Sequence, residues 1–229
     1  MPAGVTWRPA PRRPLLRDGE VHVYLADLTA EGAEEGVGLL DEGERARAGR
    51  LVFEADRRRF VVAHAILREV LARHLPVAPA ELRFVYGPQG KPALAQWEGL
   101  EFNMSHSGEL ALYAVSRGLA VGVDVERVRP EVARELTAAR TFTPAEVEAL
   151  LALPESEQPR AFFTIWTRKE ACLKATGKGL SVPLDAFAVW PDPEPPWRVV
   201  DLDVGPAYAA AVAAEVEGWT VRRWAWTGL

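Results

Sequence analysis

Residues 110–126 read LALYAVSRGLAVGVDVE, in which two runs of alternating apolar residues flank a central Arg-Gly pair. This pattern predicts two β-strands that are joined by a tight turn as a hairpin. In the second run, three valines alternate with Gly122, Asp124 and Glu126, and successive side chains of a strand point to opposite faces. The stretch therefore predicts one apolar face that packs on a core and an opposite face that carries two carboxylates.

The two carboxylates of this strand are candidates for a metal site. Side chains on one face of a strand lie about 7 Å apart, so Asp124 and Glu126 could share one cation or its water shell. A hairpin turn at the Arg-Gly pair would also place them near NMSHSG, residues 103–108. A solvated strand edge without a ligand is the alternative for such a pair.

The segment NMSHSG combines two serines and His106 with a glycine-containing turn. Hydroxyl groups, an imidazole and exposed backbone N–H groups together could hold a phosphate. The alternative is a turn in which the serines cap their own backbone. Both interpretations place the segment at the end of a strand, close to the predicted carboxylates.

The segment WTRKEACLKATGKGL, residues 166–180, predicts the last turns of an amphipathic helix that ends at a glycine. Trp166, Glu170 and Lys174 recur every four residues and therefore share one side of the helix, with Lys169 beside them. An ordinary Glu–Lys pair on a solvated helix has the same spacing. A phosphate-binding P-loop is excluded, because its glycines precede a helix whereas these follow one.

Lysine is scarce in this chain, and its positions are clustered. Of 27 basic residues 23 are arginine, and the four lysines are Lys91, Lys169, Lys174 and Lys178. Three of them lie in WTRKEACLKATGKGL, and Lys91 lies in GPQGKPAL, another glycine-punctuated segment. A compact ammonium and a planar guanidinium are not interchangeable at a phosphate. The clustering therefore points to a local phosphate site.

The other patterns predict strands and helices in alternation. Strands are expected at 21–28, at 82–86, around Phe102, at 186–190 and at three further places in the tail. Helices are expected as two segments within 41–75, at about 144–153 and at about 159–176. The alanine-rich segment PAYAAAVAAEVEGW (206–219) fits a helix by propensity and a strand by its alternation.

The composition excludes several classes of protein. A chain of 229 residues that is 48% hydrophobic and 26% charged predicts a globular protein of one large or two small domains. A net charge of -5 argues against a general nucleic-acid binder. The single cysteine, Cys172, excludes an internal disulfide. Because neither a signal peptide nor a membrane span is predicted, we expect a cytoplasmic protein.

Four motifs in their order, GKP (90–92), NMSHS (103–107), GVDVE (122–126) and WTRKEACLKATGKGL, resemble the signature set of 4'-phosphopantetheinyl transferases of the Sfp type. That family moves the phosphopantetheine arm of coenzyme A onto a serine of a carrier protein and releases adenosine 3',5'-bisphosphate. The resemblance implies an α+β fold of two similar halves, here 1–117 and 118–229, with the active site in the cleft between them.

The resemblance also implies partners and a setting. The partners would be apo carrier proteins of the acyl, peptidyl or aryl type, from fatty-acid, polyketide or nonribosomal-peptide synthesis. Neither nucleic acid nor a membrane would take part. The Sfp type tends to be monomeric and broad in the carriers that it accepts, and the sequence leaves open which carrier this chain serves.

The resemblance further implies roles at the reacting groups. Asp124, Glu126 and Glu170 would hold Mg²⁺, or Mn²⁺ in its place. Glu170 would be the base for the carrier serine, directly or through a metal-bound water, with Glu126 as the rival base. Lys174 would neutralise charge on the leaving phosphate, and His106 would contact the pyrophosphate or the 3'-phosphate.

A further set of residues would bind coenzyme A, namely Arg57, Arg58, Arg59, Lys91, Pro92, Ser105 and Lys169, together with His106 and Lys174. One departure concerns the helix after Arg59, where many relatives carry a basic residue close to the position of His64. The anchor of the 3'-phosphate is therefore not assigned. For the carrier we expect a docking surface within 140–166, where apolar helix residues precede a proline-bounded loop and Arg140 and Arg160 could steer an acidic partner.

Two other classes of protein would use part of this set. A Mg²⁺-dependent phosphodiesterase or nuclease would also use an Asp-x-Glu pair with a distant glutamate, but would show a wider basic surface than this chain has. A non-catalytic coenzyme A-binding protein would need Lys91 and the arginines but not three carboxylates.

Overall fold

The computed structural model describes residues 6–29, 36–131, 141–177 and 182–228. Within these ranges the helices are α1 (Glu42–Gly49), α2 (Glu54–His74), α3 (Pro144–Leu151) and α4 (Gln158–Thr176). The strands are β1 (Arg8–Pro9), β2 (Glu20–Asp27), β3 (Phe84–Tyr86), β4 (Pro92–Leu94), β5 (Leu100–Ser107), β6 (Leu110–Arg117), β7 (Val121–Arg127), β8 (Arg198–Asp201), β9 (Tyr208–Ala214) and β10 (Thr220–Ala225). The fold is α+β, as predicted.

The same arrangement of elements occurs twice along the chain. In the first half, β2 is followed by α1, α2 and the hairpin β5–β6, and the strands lie in the order β2-β6-β5. In the second half, β7 is followed by α3, α4 and the hairpin β8–β9, in the order β7-β9-β8. The register also agrees, because Val21 to Asp27 pair with Ser116 to Leu110 and Val121 to Arg127 pair with Ala214 to Tyr208. The two predicted similar halves are therefore present.

The two sheets pack face to face, with one long helix on the outside of each. Valines of both first strands, among them Val21, Val23, Val121, Val123 and Val125, share the core between the sheets. The predicted apolar face of β7 is thus confirmed. Helix α2 covers the outer face of the first sheet, and α4 covers the outer face of the second.

The carboxyl-terminal strand crosses back into the first sheet. Strand β10 lies parallel to β2 and carries β1 on its other side. The first sheet therefore draws on residues from both predicted halves. A cut of the chain after residue 117 would remove β10 from that sheet.

The short helices begin where their capping residues predict. Asp41 caps α1 and Thr143 caps α3, and in each the glutamate three residues later completes a capping box. The second of these, Thr143 with Pro144 and Glu146, was expected from the sequence and is confirmed. Helix α4 ends at Gly177, which has a φ of 68° and closes the helix in the left-handed conformation that glycine favours.

Two local predictions are wrong. Strands β6 and β7 do not form a hairpin, because both edges of β6 are taken by β5 and β2, while β7 pairs with β9 in the other sheet. No strand forms at 186–190, where a 3-10 turn at Leu184–Ala186 leads into a segment whose Val189 N–H donates to Glu146. The ambiguous alanine-rich segment is β9, because its small side chains let α4 pack closely on the sheet.

Candidate active site

The contact between β7 and α4 is unusually close, and Gly122 permits it. A Cβ atom at Gly122 would lie 2.0 Å from the carbonyl oxygen of Ala171 and 2.4 Å from the backbone nitrogen of Ala175. The backbone of α4 therefore rests directly on this strand position. The contact lies between Glu170 and Lys174 on the helix, so glycine in GVDVE brings this turn of α4 close to Asp124, two residues along the strand, and Lys174 contacts it.

Lys174 and Asp124 form the centre of the site. The ammonium nitrogen of Lys174 lies 2.6 Å from Asp124 Oδ1, and the Asp124 side chain is 3% exposed. Ser105 donates to the same oxygen at 2.8 Å and accepts a hydrogen bond from Lys174 at 3.0 Å. The other oxygen, Asp124 Oδ2, is buried and has no hydrogen-bond partner among the described residues.

Strands β5 and β7 meet through side chains instead of backbone hydrogen bonds. Asn103 Oδ1 accepts from the Val123 N–H at 2.9 Å, and two residues on, Ser105 bonds Asp124. After two more residues, Ser107 Oγ donates to Glu126 Oε2 at 2.8 Å and accepts from a backbone N–H at 3.1 Å. The rising numbers show that the strands run in the same direction. We call Asn103, Ser105 and Ser107 the β5 ladder.

The ladder changes the interpretation of NMSHSG. The sequence left open whether its serines hold phosphate or cap their own turn, and both hydroxyls instead hold carboxylates of the facing strand. The proximity of this segment to Asp124 and Glu126 was predicted from a β6–β7 hairpin. The proximity is present, but it arises from the parallel approach of β5.

Glu170 and Glu126 lie in an environment that favours protonation. Burial raises the pKa of Glu170, and the charge of Asp124 adds to the rise, while Lys174 opposes it. Burial also raises the pKa of Glu126, which the hydrogen bond from Ser107 partly offsets. The three carboxylates thus repel one another, with a single ammonium group between them. Added positive charge would therefore stabilise this site.

The donor set fits a divalent metal ion in its chemistry. Hard cations take carboxylate oxygens, and the buried Asp124 Oδ2 has a vacant acceptor position. Among the residues that the structure describes, however, no three His, Cys, Asp or Glu side chains lie close enough to form a ready-made cage. The fit therefore rests on Asp124 and on the mutual repulsion of the carboxylates.

A cavity of about 350 Å³ opens beside Lys174. Four predicted residues line it, namely Pro92, Ser105, His106 and Lys174. His106 on β5 has one side open to solvent, but the walls of the cavity desolvate its ring, and this desolvation, together with the charges of Lys174 and Arg59, lowers its pKa. A neutral imidazole at this place offers one donor and one acceptor.

The sequence analysis did not assign several other lining residues to the site. Arg47 donates to the hydroxyl of Tyr86 and lies over its ring at 5.0 Å, and Phe84 adds a second aromatic face. His64 stacks on Phe60, and burial lowers its pKa to about 4. The position of Tyr86, directly before GPQGKP, was the available signal. Nothing in the sequence around Arg47 distinguishes it from the other arginines.

The predicted nucleotide-binding residues are placed in different ways. Arg57 pairs with Glu54 and Arg59 pairs with Asp56 on their own helix, and Arg58 is exposed beside them. Lys91 donates to the carbonyl oxygens of Val121 and Ala175 at 3.2 and 2.9 Å. Lys91 thus ties the segment before β4 to β7 and α4, which leaves it fewer donors for a nucleotide.

Lys169 requires a correction. Its side chain is fully buried and pairs with Glu146 at 2.8 Å. Its remaining donors reach the carbonyl oxygens of Leu184 and Phe187. All three donors of the ammonium group are therefore used inside the second half. The expected contact of Lys169 with phosphate is wrong, because this lysine faces the packing between α3 and α4.

Comparisons with known proteins identify the family. A family model described as the 4'-phosphopantetheinyl transferase superfamily matches residues 120–225, and one described as 4'-phosphopantetheinyl transferase, N-terminal, matches residues 30–117. The 4'-phosphopantetheinyl transferase HetI of Nostoc sp. is 37% identical over 232 residues, which cover 96% of this chain and 98% of HetI. Sfp of Bacillus subtilis is 30% identical over 198 residues, with 82% of this chain and 87% of Sfp covered.

The chain therefore belongs to the 4'-phosphopantetheinyl transferase superfamily. A third relative, the transferase psf-1 of Bacillus pumilus, is 33% identical over 74% of this chain. The resemblance inferred from the four motifs is confirmed.

Proposed function

We propose that this protein transfers the 4'-phosphopantetheine arm of coenzyme A to a serine of an apo carrier protein and releases adenosine 3',5'-bisphosphate. The observation that carries the proposal is the pair of Lys174 and Asp124, 2.6 Å apart beside Glu170, in a chain whose relatives are transferases. The hydrolase and the non-catalytic alternatives find no support, because the matched family and the three relatives above are transferases.

Asp124, Glu126 and Glu170 would hold Mg²⁺, with Mn²⁺ as the alternative. The unpartnered oxygen of Asp124 and the raised pKa values of the two glutamates support this assignment. The chemistry that a divalent ion would supply here is neutralisation of the pyrophosphate of coenzyme A, which would make its phosphorus easier to attack.

Glu170 would take the proton of the carrier serine as the serine oxygen bonds to the β-phosphorus of coenzyme A. Glu170 lies one helical turn before Lys174 on the same side of α4, and a carboxylate at this place can accept the proton. Glu126 is the alternative base. The bond from phosphorus to the leaving phosphate breaks at the same centre, and Lys174 is positioned to neutralise the charge that the leaving group gains.

The nucleotide end of coenzyme A would occupy the cavity beside Lys174. Tyr86 and Phe84 supply aromatic faces on which a base can stack, and Arg47 and His106 supply donors for phosphate. We assign Arg47 as the phosphate anchor that the sequence left open. Arg59 lies near enough to His106 to affect its pKa, and so remains a candidate at the rim with Arg57 and Arg58. Lys91 would act there through its backbone or its remaining donor.

Acyl, peptidyl and aryl carriers are all candidate partners, and the protein would act on them as a monomer in the cytoplasm. In the part of the chain that the structure describes, none of the helices is both long and apolar enough to cross a bilayer.

Intact-mass analysis tests the reaction directly. The protein is incubated with coenzyme A, Mg²⁺ and a panel of purified apo carriers, and we expect a phosphopantetheine-sized gain on carrier proteins. The gain should disappear with EDTA and with Glu170→Gln. Hydrolysis of coenzyme A without any carrier modification would contradict the proposal, and the relative rates across the panel would identify the preferred carrier class.

A further inference from the structure

The internal duplication gives the active site a counterpart in the first half. Arg68 in α2 pairs with Glu44 at 2.6 Å and donates to the carbonyl oxygens of Pro79 and Leu82. Lys169 in α4 makes the same kind of contacts, to Glu146 and to two carbonyl oxygens beyond its helix. Glu44 and Glu146 also hold the same position in their capping boxes. Arg68 and Lys169 are therefore equivalent residues.

This equivalence identifies the counterparts of the two reacting side chains on the helix. Glu170 follows Lys169 directly and Lys174 comes five residues after it, and Glu69 and Arg73 have the same spacing from Arg68. The strand register places Tyr24 opposite this helix where the second half has Asp124. Tyr24 and Arg73 lie close enough for the charge of Arg73 to lower the phenol pKa slightly against the rise caused by burial.

A cavity of about 650 Å³ lies at this equivalent place. Its lining includes Glu69 and Arg73, together with Arg12 and Arg13 from the segment before β2. None of these residues lines the cavity beside Lys174, so the two cavities are separate. The first half thus keeps the position of the active site, with a different set of side chains.

The charges around this cavity are unbalanced. Three guanidinium groups face one carboxylate, and none of the three forms an ion pair within 4 Å with a described residue. Arg73 lies over the ring of Trp226 at 3.8 Å, which fixes its guanidinium in place. Burial lowers the pKa of Arg73, and repulsion by the charge of Arg12 adds to this effect, while Glu69 opposes it. An anion would relieve this repulsion.

Strand β2 does not line this cavity, and it lacks the carboxylates that β7 carries. Tyr24 and Ala26 stand at the positions of Asp124 and Glu126, so Glu69 is the one carboxylate of the three that remains. A single carboxylate among three guanidinium groups does not attract a divalent cation. Guanidinium groups bind phosphate oxygens directly, often through two parallel hydrogen bonds.

We propose that this cavity is a second anion site, which binds a phosphate-bearing ligand without a metal ion. The cavity is large enough for more than inorganic phosphate, so the ligand is either an inorganic polyphosphate or an organic phosphate such as a nucleotide. The alternative is that the arginines only compensate the carbonyl end of α2, which needs no ligand. The site does not depend on the transfer reaction, and its failure would leave the proposed function intact.

Calorimetric titration of the full-length protein with pyrophosphate in EDTA tests the site, because metal-dependent binding at Asp124 is then suppressed. We expect a dissociation constant below roughly 1 mM. The double variant Arg12→Glu/Arg13→Glu should weaken binding at least about tenfold, since both side chains are exposed and their reversal spares the core. Lys174→Ala weakens any pyrophosphate binding beside Asp124, and the binding event that is lost in Arg12→Glu/Arg13→Glu should persist in it.

A control variant with the same change of charge separates a built site from general attraction. Arg83→Glu/Arg198→Glu alters two exposed arginines outside the cavity and should retain pyrophosphate binding. Equal loss in both double variants would reduce the site to an adventitious ion only, and overturn the proposal. Unchanged affinity in Arg12→Glu/Arg13→Glu, or no binding at all, would do the same. Adenosine 3',5'-bisphosphate would also bind beside Lys174, so only binding that is lost in Arg12→Glu/Arg13→Glu counts here: if that component is tighter than for pyrophosphate the ligand is organic, and the reverse indicates an inorganic one.

Discussion

The two halves of this protein share one arrangement of strands and helices, which we call the frame, but they differ at its first strand, β2 in one half and β7 in the other. Strand β2 is paired on both sides, by β6 and β10, and its outward residues Tyr24 and Ala26 face α2. Among the described strands, β7 pairs with β9 alone, and its other edge meets β5 through side chains. The structural contacts of the frame therefore occur twice, whereas the carboxylates to which we assign the chemistry occur once, on the strand whose second edge has no backbone pairing in the described part of the chain.

The buried ion pair in each half shows which residues belong to the frame. Glu44 with Arg68 and Glu146 with Lys169 fasten a short helix to a long one in the same manner. Removal of one partner leaves a buried unpaired charge and lowers the free energy of unfolding by roughly 3 to 5 kcal/mol, although the intact pair adds little net stability. Lysine in the second half thus has a structural role at Lys169 and, in the proposed mechanism, a chemical role at Lys174.

The largest effect is expected from Gly122→Ala. The new methyl group would overlap the backbone of α4, with contacts of 2.0 and 2.4 Å, and the helix would have to move away from β7. We expect transfer to be lost and the free energy of unfolding to fall by about 3 kcal/mol. The matched variant is His22→Ala at the equivalent position of β2, which should lower stability but retain transfer. Equal activity of the two variants would contradict the proposed role of the close contact.

Glu170→Ala should abolish transfer without loss of stability. Its carboxylate has no ion-pair partner in the described structure, and its removal relieves repulsion by Asp124 and Glu126. Asp124→Ala should abolish transfer as well, but with a lower melting temperature, because Lys174 and Ser105 lose their partner. Carrier modification and thermal unfolding measure the two effects. Tyr24→Phe, at the equivalent of Asp124, should retain transfer, and an inactive Tyr24→Phe would weaken the comparison of the halves.

Lysine substitutions five residues apart should separate rate from stability. Lys174→Ala should lower kcat about 100-fold with a smaller change in KM for coenzyme A, since the charge that it meets grows mainly in the transition state. Lys169→Ala should instead lower the free energy of unfolding by roughly 3 kcal/mol, because it leaves Glu146 buried and unpaired. A change confined to KM in Lys174→Ala would indicate a binding role.

A smaller effect is expected at the β5 ladder. Ser107→Ala removes the hydrogen bond that holds one oxygen of Glu126, and second-sphere contacts of this kind are worth about tenfold in metal affinity or rate. Mn²⁺ affinity by calorimetry should fall accordingly, with little change in the melting temperature. Ser107→Thr should restore it, because the hydroxyl is retained. Ser116→Ala in β6, whose hydroxyl bonds only a backbone carbonyl, is the matched control. Equal losses in the alanine and threonine variants would indicate a purely structural role.

The sequence predicted the positions of helices and strands better than it predicted which strands pair with each other. Periodicity and caps located α2, α3 and α4, because these signals are local. The pairing of β6 was mispredicted, because alternation shows that a strand exists but not which strand lies beside it.

For the site, too, the sequence identified the residues within the motifs but not the contacts that depend on distant parts of the chain. The motifs identified Asp124, Glu170 and Lys174, which the structure brings together around Gly122. Lys169 was misassigned, because its burial depends on Glu146, more than 20 residues earlier in the sequence, and on a turn beyond the helix. Arg47 was missed for the same reason, since its place beside Tyr86 exists only in the folded chain.

The smallest effect is expected at the surface where a carrier would dock. Leu151 is 64% exposed at the end of α3, and with Phe142, Pro144 and Val147 it borders an apolar cavity of about 660 Å³. Arg160 is exposed nearby at the start of α4 and is held by the carbonyl oxygen of Pro206. An acidic carrier helix could pack its apolar side chains on this surface and pair its charge with Arg160. Arg140, which was expected to assist, lies outside the described residues.

Leu151→Asp and Arg160→Glu should each raise KM for the carrier about fivefold and leave KM for coenzyme A unchanged, because interface residues of this kind are worth roughly 1 kcal/mol. The effect of Arg160→Glu should shrink as salt is added, since it acts by steering, whereas that of Leu151→Asp should persist. The first half offers a matched control in Phe53, which is 70% exposed between α1 and α2. If Phe53→Asp raises KM for the carrier and the other two variants do not, the carrier docks on the first half. In that case the two halves divide the work, with docking on the first half and the carboxylates on the second.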